Sequence, residues 1–463
     1  MPQININFNT KNPFSAKLRT AEFTLAVENW PGEKTQPADL SRKQILDAAV
    51  KVKNQDYVSA ITVADRITSL NAYSPVETAT EIFEKSEKMP IVCISGKNSS
   101  KNRVLSLLRQ AETLNLKNIL AVTGDLYVSK KKGAALKYMD SVDIISIAKE
   151  FNSNIFAGAV VNPFKYNAPD LYSQYFKLVK KIHAGADFIV TQAGWDMGKF
   201  QELQWFLAMR EINVPVIARL YMPSSEKIDN LDIEIFPGVS ISKIYASTLQ
   251  REKKINYQQA VATHLRRISL MAAGCHLMGY SGIQIVGIED TQLIEMTLKR
   301  ISETVENNIS WKDWLQEWND FHNNTRIAPE NHNYYIFKNL LQAEFQTYSQ
   351  KNAEVQKADI LSPSFVDRIK YSIGKIFGLD KFPTITYPLK AIIYGCLFCN
   401  NCSLKENFYI CGKECPKGLA SGPCGGTNLN GNCENGKNLC LFHKKYILAT
   451  WNKEIYKLES QNE

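Results

Sequence analysis

Short apolar runs recur through the first 300 residues, each followed by a stretch whose apolar positions return with helical spacing. The runs read as strands at 24–28 (TLAVE), 60–65 (AITVAD), 90–96 (PIVCISG), 118–125 (NILAVTGD), 155–163 (IFAGAVVNP), 188–194 (FIVTQAG), 215–221 (PVIARLY) and 282–290 (GIQIVGIED). They are nearly continuous in apolar residues, as strands of a parallel sheet buried on both faces must be. Between them the period changes. Val104, Leu107, Leu108 and Ala111 fall at i, i+3, i+4 and i+7 with Ser99 or Ser100 placed as N-cap, and Leu171, Tyr175, Leu178, Val179 and Ile182 form a second stripe. Eight strands, each followed by a helix or a long connection, predict a (β/α)8 TIM barrel; a doubly wound open sheet is the other arrangement this order allows.

Near residue 305 the texture changes. WKDWLQEWNDFHNN and NYYIFKNLLQAEFQTYSQ are polar–aromatic and helical in period, so 305–385 reads as a helical connector after a barrel spanning 1–304. Its aromatics (Trp311, Trp314, Trp318, Phe321, Tyr334 and Tyr335) are expected to pack rather than to stack on a ligand. The last segment, 386–463, holds eight of the ten cysteines: Cys396, Cys399, Cys402, Cys411, Cys415, Cys424, Cys433 and Cys440. Thiols crowded in this way are either disulfide-bonded or hold metal, and a reducing compartment selects metal.

Composition narrows the class. A chain of 463 residues, 44% hydrophobic and 22% charged, has the balance of a soluble globular protein of two or three domains. No apolar run is long enough to span a bilayer, and MPQININFNTKNPF has neither the charged nor the apolar region of a signal peptide, so a cytoplasmic location is expected. The net charge of +9 is spread thinly, as in KKK at 130–132, KK at 180–181 and RR at 266–267, with no nucleic-acid-binding module beside it. These basic spots suit an anionic cofactor or substrate. An oligomer is compatible with all of this.

In the cysteine segment, Cys396-x2-Cys399-x2-Cys402 followed by Cys411-x3-Cys415-Pro416 is similar to the bacterial ferredoxin run, although eight residues separate the third and fourth sulfurs. Eight thiolates suffice for two [4Fe–4S] clusters, two zinc ions, or one of each. Pairing does not follow from spacing, and a zinc-stapled fold without electron transfer answers the pattern equally.

In a parallel barrel the chemistry sits at the C-terminal strand ends. Those positions carry Glu28, Asp65, the Gly96-Lys97-Asn98 turn, Asp125, Asn162 and Gln192, with Glu289 and Asp290 after the last strand. Thr123-Gly124-Asp125 has the form of a βα turn in which glycine admits a ligand close to the backbone. No dinucleotide fingerprint, P-loop, zinc-protease motif or nucleophile elbow occurs, and no histidine falls at a strand end, which argues against a hydrolase triad.

Four segments, FTLAVENWPGE, LRQAETLNLKNILAVTGD, GAVVNPF and KLVKKIHAGADFIVTQ, resemble the methylenetetrahydrofolate reductase family, flavin-dependent barrel enzymes of one-carbon metabolism. PLKAIIYGCLFCNNC through CPKGLASGPCGGTNLNGNCE is similar to the cysteine-rich C-terminal domain fused or partnered to such reductases, and the resemblance covers about 20–300 and 385–445. It implies reduction of 5,10-methylenetetrahydrofolate to 5-methyltetrahydrofolate by hydride from a bound flavin, FAD or FMN. Glu28 would be the general acid at ring opening, Asp125 would lie near flavin and folate, and Gln192 would bond the pterin. Thr62, Thr123, Gly124, Asp125, Asn162, Lys180 and Lys181 match flavin-lining positions. Electrons would come from NAD(P)H or a reduced electron-carrier protein. The family's basic turn after strand three reads Lys97-Asn98-Ser99-Ser100-Lys101 here, Cys93 replaces a histidine of that strand, and Arg219-Leu220-Tyr221-Met222-Pro223 matches only loosely. Two other readings stay open: a non-catalytic scaffold subunit of a folate or corrinoid methyl-transfer complex, and a barrel methyltransferase working with a corrinoid protein.

Overall fold

The structure, a computed structural model, describes residues 12–20, 22–28, 38–65, 74–125, 138–223, 228, 234–288, 291–308, 310–323, 325–378, 387–396, 402–436 and 438–459. The expected residues Cys399, Glu289 and Asp290, and the turn after Glu28, lie outside them.

Eight parallel strands close into a barrel. They are β1 (Thr24–Glu28), β2 (Val58–Val63), β3 (Met89–Ser95), β4 (Asn118–Val122), β5 (Phe156–Val161), β6 (Phe188–Thr191), β7 (Val216–Tyr221) and β10 (Gly282–Val286). Their order around the barrel is β1-β10-β7-β6-β5-β4-β3-β2, and β8 (Glu234–Phe236) and β9 (Val239–Ser240) form a separate hairpin. The eight sequence runs thus fold as expected, and the barrel replaces the open sheet. Several strands stop earlier than the apolar run suggests, however. TGD, NP, QAG and the described Gly287-Ile288 leave the ladder, because β4, β5, β6 and β10 end at Val122, Val161, Thr191 and Val286. Those overhangs are the loops on which a barrel carries its polar groups.

Alternation along each strand divides the apolar residues into two cores. Leu25, Val27, Ile61, Val92, Ile119, Ala157 and Ile189 face the surrounding helices, whereas Ala26, Ala60, Ile91, Cys93, Leu120, Phe156, Phe188, Val190 and Ile217 fill the lumen. The N-terminal end of the lumen is stoppered by the helix Pro13–Arg19, whose Phe14 meets Phe156 and Phe188 edge-on at 6.1 and 5.6 Å. Among the described residues that end is closed by aromatic packing, which leaves the C-terminal mouth as the side for a ligand.

The connector is helical at Trp311–His322 and Phe365–Phe377, where Ser310 and Ser364 cap the first turns as their sequence positions suggest. Between them NYYIFKNLLQAEFQTYSQ, expected to be helical, is a strap of turns. Its backbone is satisfied partly by its own turns and partly from the barrel. Gln201 donates to the Phe345 and Gln346 carbonyls and accepts from the Leu341 N–H, while Glu202 accepts from the Ile336 N–H and Lys199 donates to the Tyr334 carbonyl. Lys199 and Glu202 form a fully buried ion pair on the helix Met197–Met209. Helix periodicity in the strap loses to this set of buried polar partners, since an unpaired buried backbone group costs more than helix propensity returns.

The cysteine-rich segment packs on the helix Ala168–His183 through the helix Leu441–Trp451, with Tyr172 stacked on Tyr446 at 5.7 Å and His443 bonded to Asp170 at 3.0 Å. Among the described residues no helix is long and apolar enough to cross a membrane.

Candidate active site

Above the apolar lumen lies one polar layer at the mouth. Strand register sets Glu28 beside Thr62 and Val286, and Gln284 beside Arg219. Buried Glu28, at the end of β1, accepts from the Arg219 guanidinium and from the Gln284 amide, the latter at 2.9 Å. Arg219 also reaches the Gln192 carbonyl oxygen at 3.4 Å, which accepts the Ala193 N–H at 3.0 Å as well. Strands β1, β7 and β10 and the loop that follows β6 therefore bring a carboxylate, a guanidinium and two amides together. The Arg219 Nε and the Thr62 hydroxyl are buried there without a hydrogen-bond partner.

Of this group, the sequence pointed to Glu28, Gln192 and Thr62 but gave no role to Arg219 or Gln284. A signal existed. In ARLY and IQIV a polar residue stands between neighbours buried against helices, and period-two alternation then aims it into the lumen.

The β4 side of the mouth carries Asp125. Its carboxylate pairs with Lys97 at 2.7 Å, and the Tyr138 hydroxyl donates to its carbonyl at 2.9 Å. Gly124 before it has φ +83°, and a Cβ there would stand 2.6 Å from Ser95 Oγ and 2.8 Å from Lys97 Cβ, so the turn requires glycine. The Thr123 hydroxyl bonds Ser141 at 3.4 Å. Asp65 is committed elsewhere: Arg103 forks onto both its oxygens at 3.0 and 2.8 Å, and the Ser95 N–H donates to it. It orders the turn after β3 and takes no part in the polar layer.

Three other expected residues are engaged by the protein. The Asn162 amide donates to the Gly238 and Gly425 carbonyls at 2.9 Å each and accepts from the Phe164 N–H. Lys181 donates to the Val160 carbonyl, and burial, with Lys177 adding repulsion, holds its ammonium down to about 7. Lys180 is lowered to about 8 by the same two causes. Both lysines lie beside the buried Lys177–Asp140 pair, and Lys180 also faces Lys445 of the cysteine-rich segment.

The mouth fits a planar, hydrogen-bonding ring best on its β1, β2 and β7 side, where Thr62 and Arg219 keep unpartnered polar atoms. In the cysteine-rich segment the described thiols fall into two neighbourhoods. Cys402 and Cys411 pack with Tyr394, Leu404 and Tyr409, whereas Cys415, Cys424 and Cys440 pack with Leu419 and Phe442, and Cys433 lies near Cys415. Thiol donors suit zinc or iron–sulfur in kind, but no three His, Cys, Asp or Glu among the described residues converge into a ligand set.

No curated protein matches this chain. Among solved structures, it is similar to an uncharacterized protein from Clostridium thermocellum that binds two copies of 5-methyl-5,6,7,8-tetrahydrofolic acid, at 14% identity and a TM-score of 0.44 over 63% of this chain and 98% of that one. The family profile described as "Methylene-tetrahydrofolate reductase C terminal" matches residues 380–462, and that described as "Methylenetetrahydrofolate reductase" matches residues 14–300. The latter spans more than half of the sequence, and the chain belongs to the methylenetetrahydrofolate reductase family.

Proposed function

We propose that this protein reduces 5,10-methylenetetrahydrofolate to 5-methyltetrahydrofolate at the barrel mouth, with a flavin as its redox group. The observation that carries the reading is the polar layer formed by Glu28, Gln192, Arg219 and Gln284 over an apolar lumen. Such a layer suits a pterin, a flat heterocycle edged with amide and guanidine-like nitrogens. Gln192 and Gln284 orient the ring. Glu28 holds the proton passed to the folate nitrogen at ring opening, once the substrate has drawn Arg219 off its carboxylate.

Thr62, Thr123, Gly124 and Asp125 would hold the flavin, Thr62 through its unpartnered hydroxyl, and Asp125 would also lie against the folate. When bound, the flavin supplies the hydride. Lys180 would meet a flavin phosphate, whereas Asn162 is engaged by Gly238 and Gly425 and Lys181 by Val160. The cysteine-rich module, 386–463, would hold zinc or a [4Fe–4S] cluster and take in electrons, from a reduced carrier protein or alongside NAD(P)H.

A second reading has its own support. Arg219 neutralises Glu28, and Asn162 is spent on the module, as fits a docking subunit of a folate or corrinoid methyl-transfer complex. Glu28→Gln separates the two. Reductase chemistry predicts folate turnover lower by at least about 100-fold with donor-driven flavin reduction nearly intact. Unchanged turnover removes Glu28 from the reaction, and no turnover in either form leaves the scaffold reading.

A further inference from the structure

The segment 417–427 of the cysteine-rich module is seated on the barrel by buried side chains of the barrel. Lys165 donates to the Gly238 and Thr427 carbonyls at 2.8 and 2.6 Å. Asn162 donates to the Gly425 carbonyl at 2.9 Å, and Lys177 to the Gly422 carbonyl at 3.0 Å. At residue 238 a Cβ would stand 2.0 Å from the Gly425 oxygen, so only glycine admits the module's chain this closely.

One contact runs the other way, from the module into the mouth. Lys417 is buried, with 5% of its surface exposed, and its ammonium donates to the Gly124 carbonyl at 2.7 Å. Its charge is balanced by Glu434 and lies over the Tyr138 ring at 5.4 Å. The Gly124–Asp125 turn is thereby held at three atoms. Lys417 takes the Gly124 oxygen, Tyr138 the Asp125 carbonyl oxygen, and Lys97 the Asp125 carboxylate. A cation on a carbonyl also draws electron density from the peptide beyond it, which makes the next N–H a stronger donor. Here that N–H belongs to Asp125.

We propose that the module supplies one wall of the folate site, with Lys417 as the positioning residue that fixes the Gly124–Asp125 turn. This rests on the folate reading above and deepens it. The barrel alone then carries an incomplete site, and the module acts on the substrate pocket by geometry, whatever it does with electrons. It also ties the pocket to the cysteines, because the Cys424 thiol donates to the Glu434 carboxylate at 3.3 Å and Glu434 is the counter-ion of Lys417.

The test titrates 5-methyltetrahydrofolate into the full-length wild-type chain and its Lys417→Met, Lys417→Arg and Tyr138→Phe variants. Circular dichroism melts and metal content serve as controls. Loss of a charge-assisted hydrogen bond should raise Kd at least about tenfold in Lys417→Met. Arginine keeps the cation and the donor, and should restore Kd to within about threefold of wild type. Tyr138→Phe, which removes one hydroxyl on the barrel side and keeps the ring beneath Lys417, should raise Kd about threefold. It decides the matter if Lys417→Met does not fold. Wild-type Kd in Lys417→Met, or in Tyr138→Phe where that variant decides, overturns this inference alone. A Lys417→Arg variant as weak as Lys417→Met also overturns it, because the lysine would then be mere packing. A wild-type chain that binds no 5-methyltetrahydrofolate overturns the folate reading and this inference with it.

Discussion

The Arg219 guanidinium lies against the Glu28 carboxylate across the barrel mouth, joining the ends of β7 and β1, strands separated in the chain by 191 residues. Both side chains are largely withdrawn from water, at 17% and 6% exposure, so each is the other's principal charge compensation. A guanidinium held in this way is positioned to bond an incoming ligand group, and its departure leaves Glu28 to take up a proton.

Arg219→Met should therefore strand the Glu28 carboxylate with only the Gln284 amide. Breaking a buried pair from one side costs about 3 kcal/mol. The double variant Arg219→Met with Glu28→Gln should recover most of that loss, because no buried charge remains. Chemical denaturation of the four proteins measures the coupling. An Arg219→Met protein as stable as wild type would mean that the ion pair is solvated in solution.

Much of this architecture can be read from the chain. Eight apolar runs of the right length announce buried parallel strands, and their polar ends mark the mouth, so Glu28, Asp125 and Gln192 come out of strand reading and family resemblance together. Less legible is what each polar group is used for. Asp65, Asn162 and Lys181 occupy equally suggestive positions, yet Arg103, Gly425 and Val160 claim them. Such claims come from partners as distant as 263 residues along the chain, which local pattern does not encode. The strap at 333–350 fails as a helix for a related reason. Its aromatic spacing is helical, but Lys199, Gln201 and Glu202 satisfy its backbone from outside.

Those partners give a stability prediction remote from the mouth. Lys199→Met should leave Glu202 buried and uncompensated and free the Tyr334 carbonyl, at a cost of about 3–5 kcal/mol. Protease cleavage should then appear first between residues 333 and 350, while the barrel strands resist. A drop in denaturation midpoint without strap cleavage would contradict the role given to this pair.

Acid should weaken the fold before ordinary carboxylates titrate. Burial, with Arg267 nearby, holds His264 down from 6.5 to about 3; burial, partly offset by the Trp318 carbonyl, holds His322 down to about 4. Both folded-state values are depressed. The stability they contribute is complete above 6.5 and is lost as pH falls through the window from 6.5 toward 3. A His264→Leu, His322→Leu double variant should show a flatter dependence of urea midpoint on pH between 7 and 5. An unchanged slope would place the acid lability elsewhere.

The central claim is that the mouth brings a folate and a flavin into reaction. The direct measurement is the visible spectrum of the anaerobic, flavin-loaded, oxidised protein on addition of 5-methyltetrahydrofolate, which runs the reduction backwards. The account predicts loss of the flavin band near roughly 450 nm, at least about 100-fold slower in Glu28→Gln. A protein that binds 5-methyltetrahydrofolate yet takes up no flavin, or whose flavin keeps its oxidised band with folate bound, would contradict it.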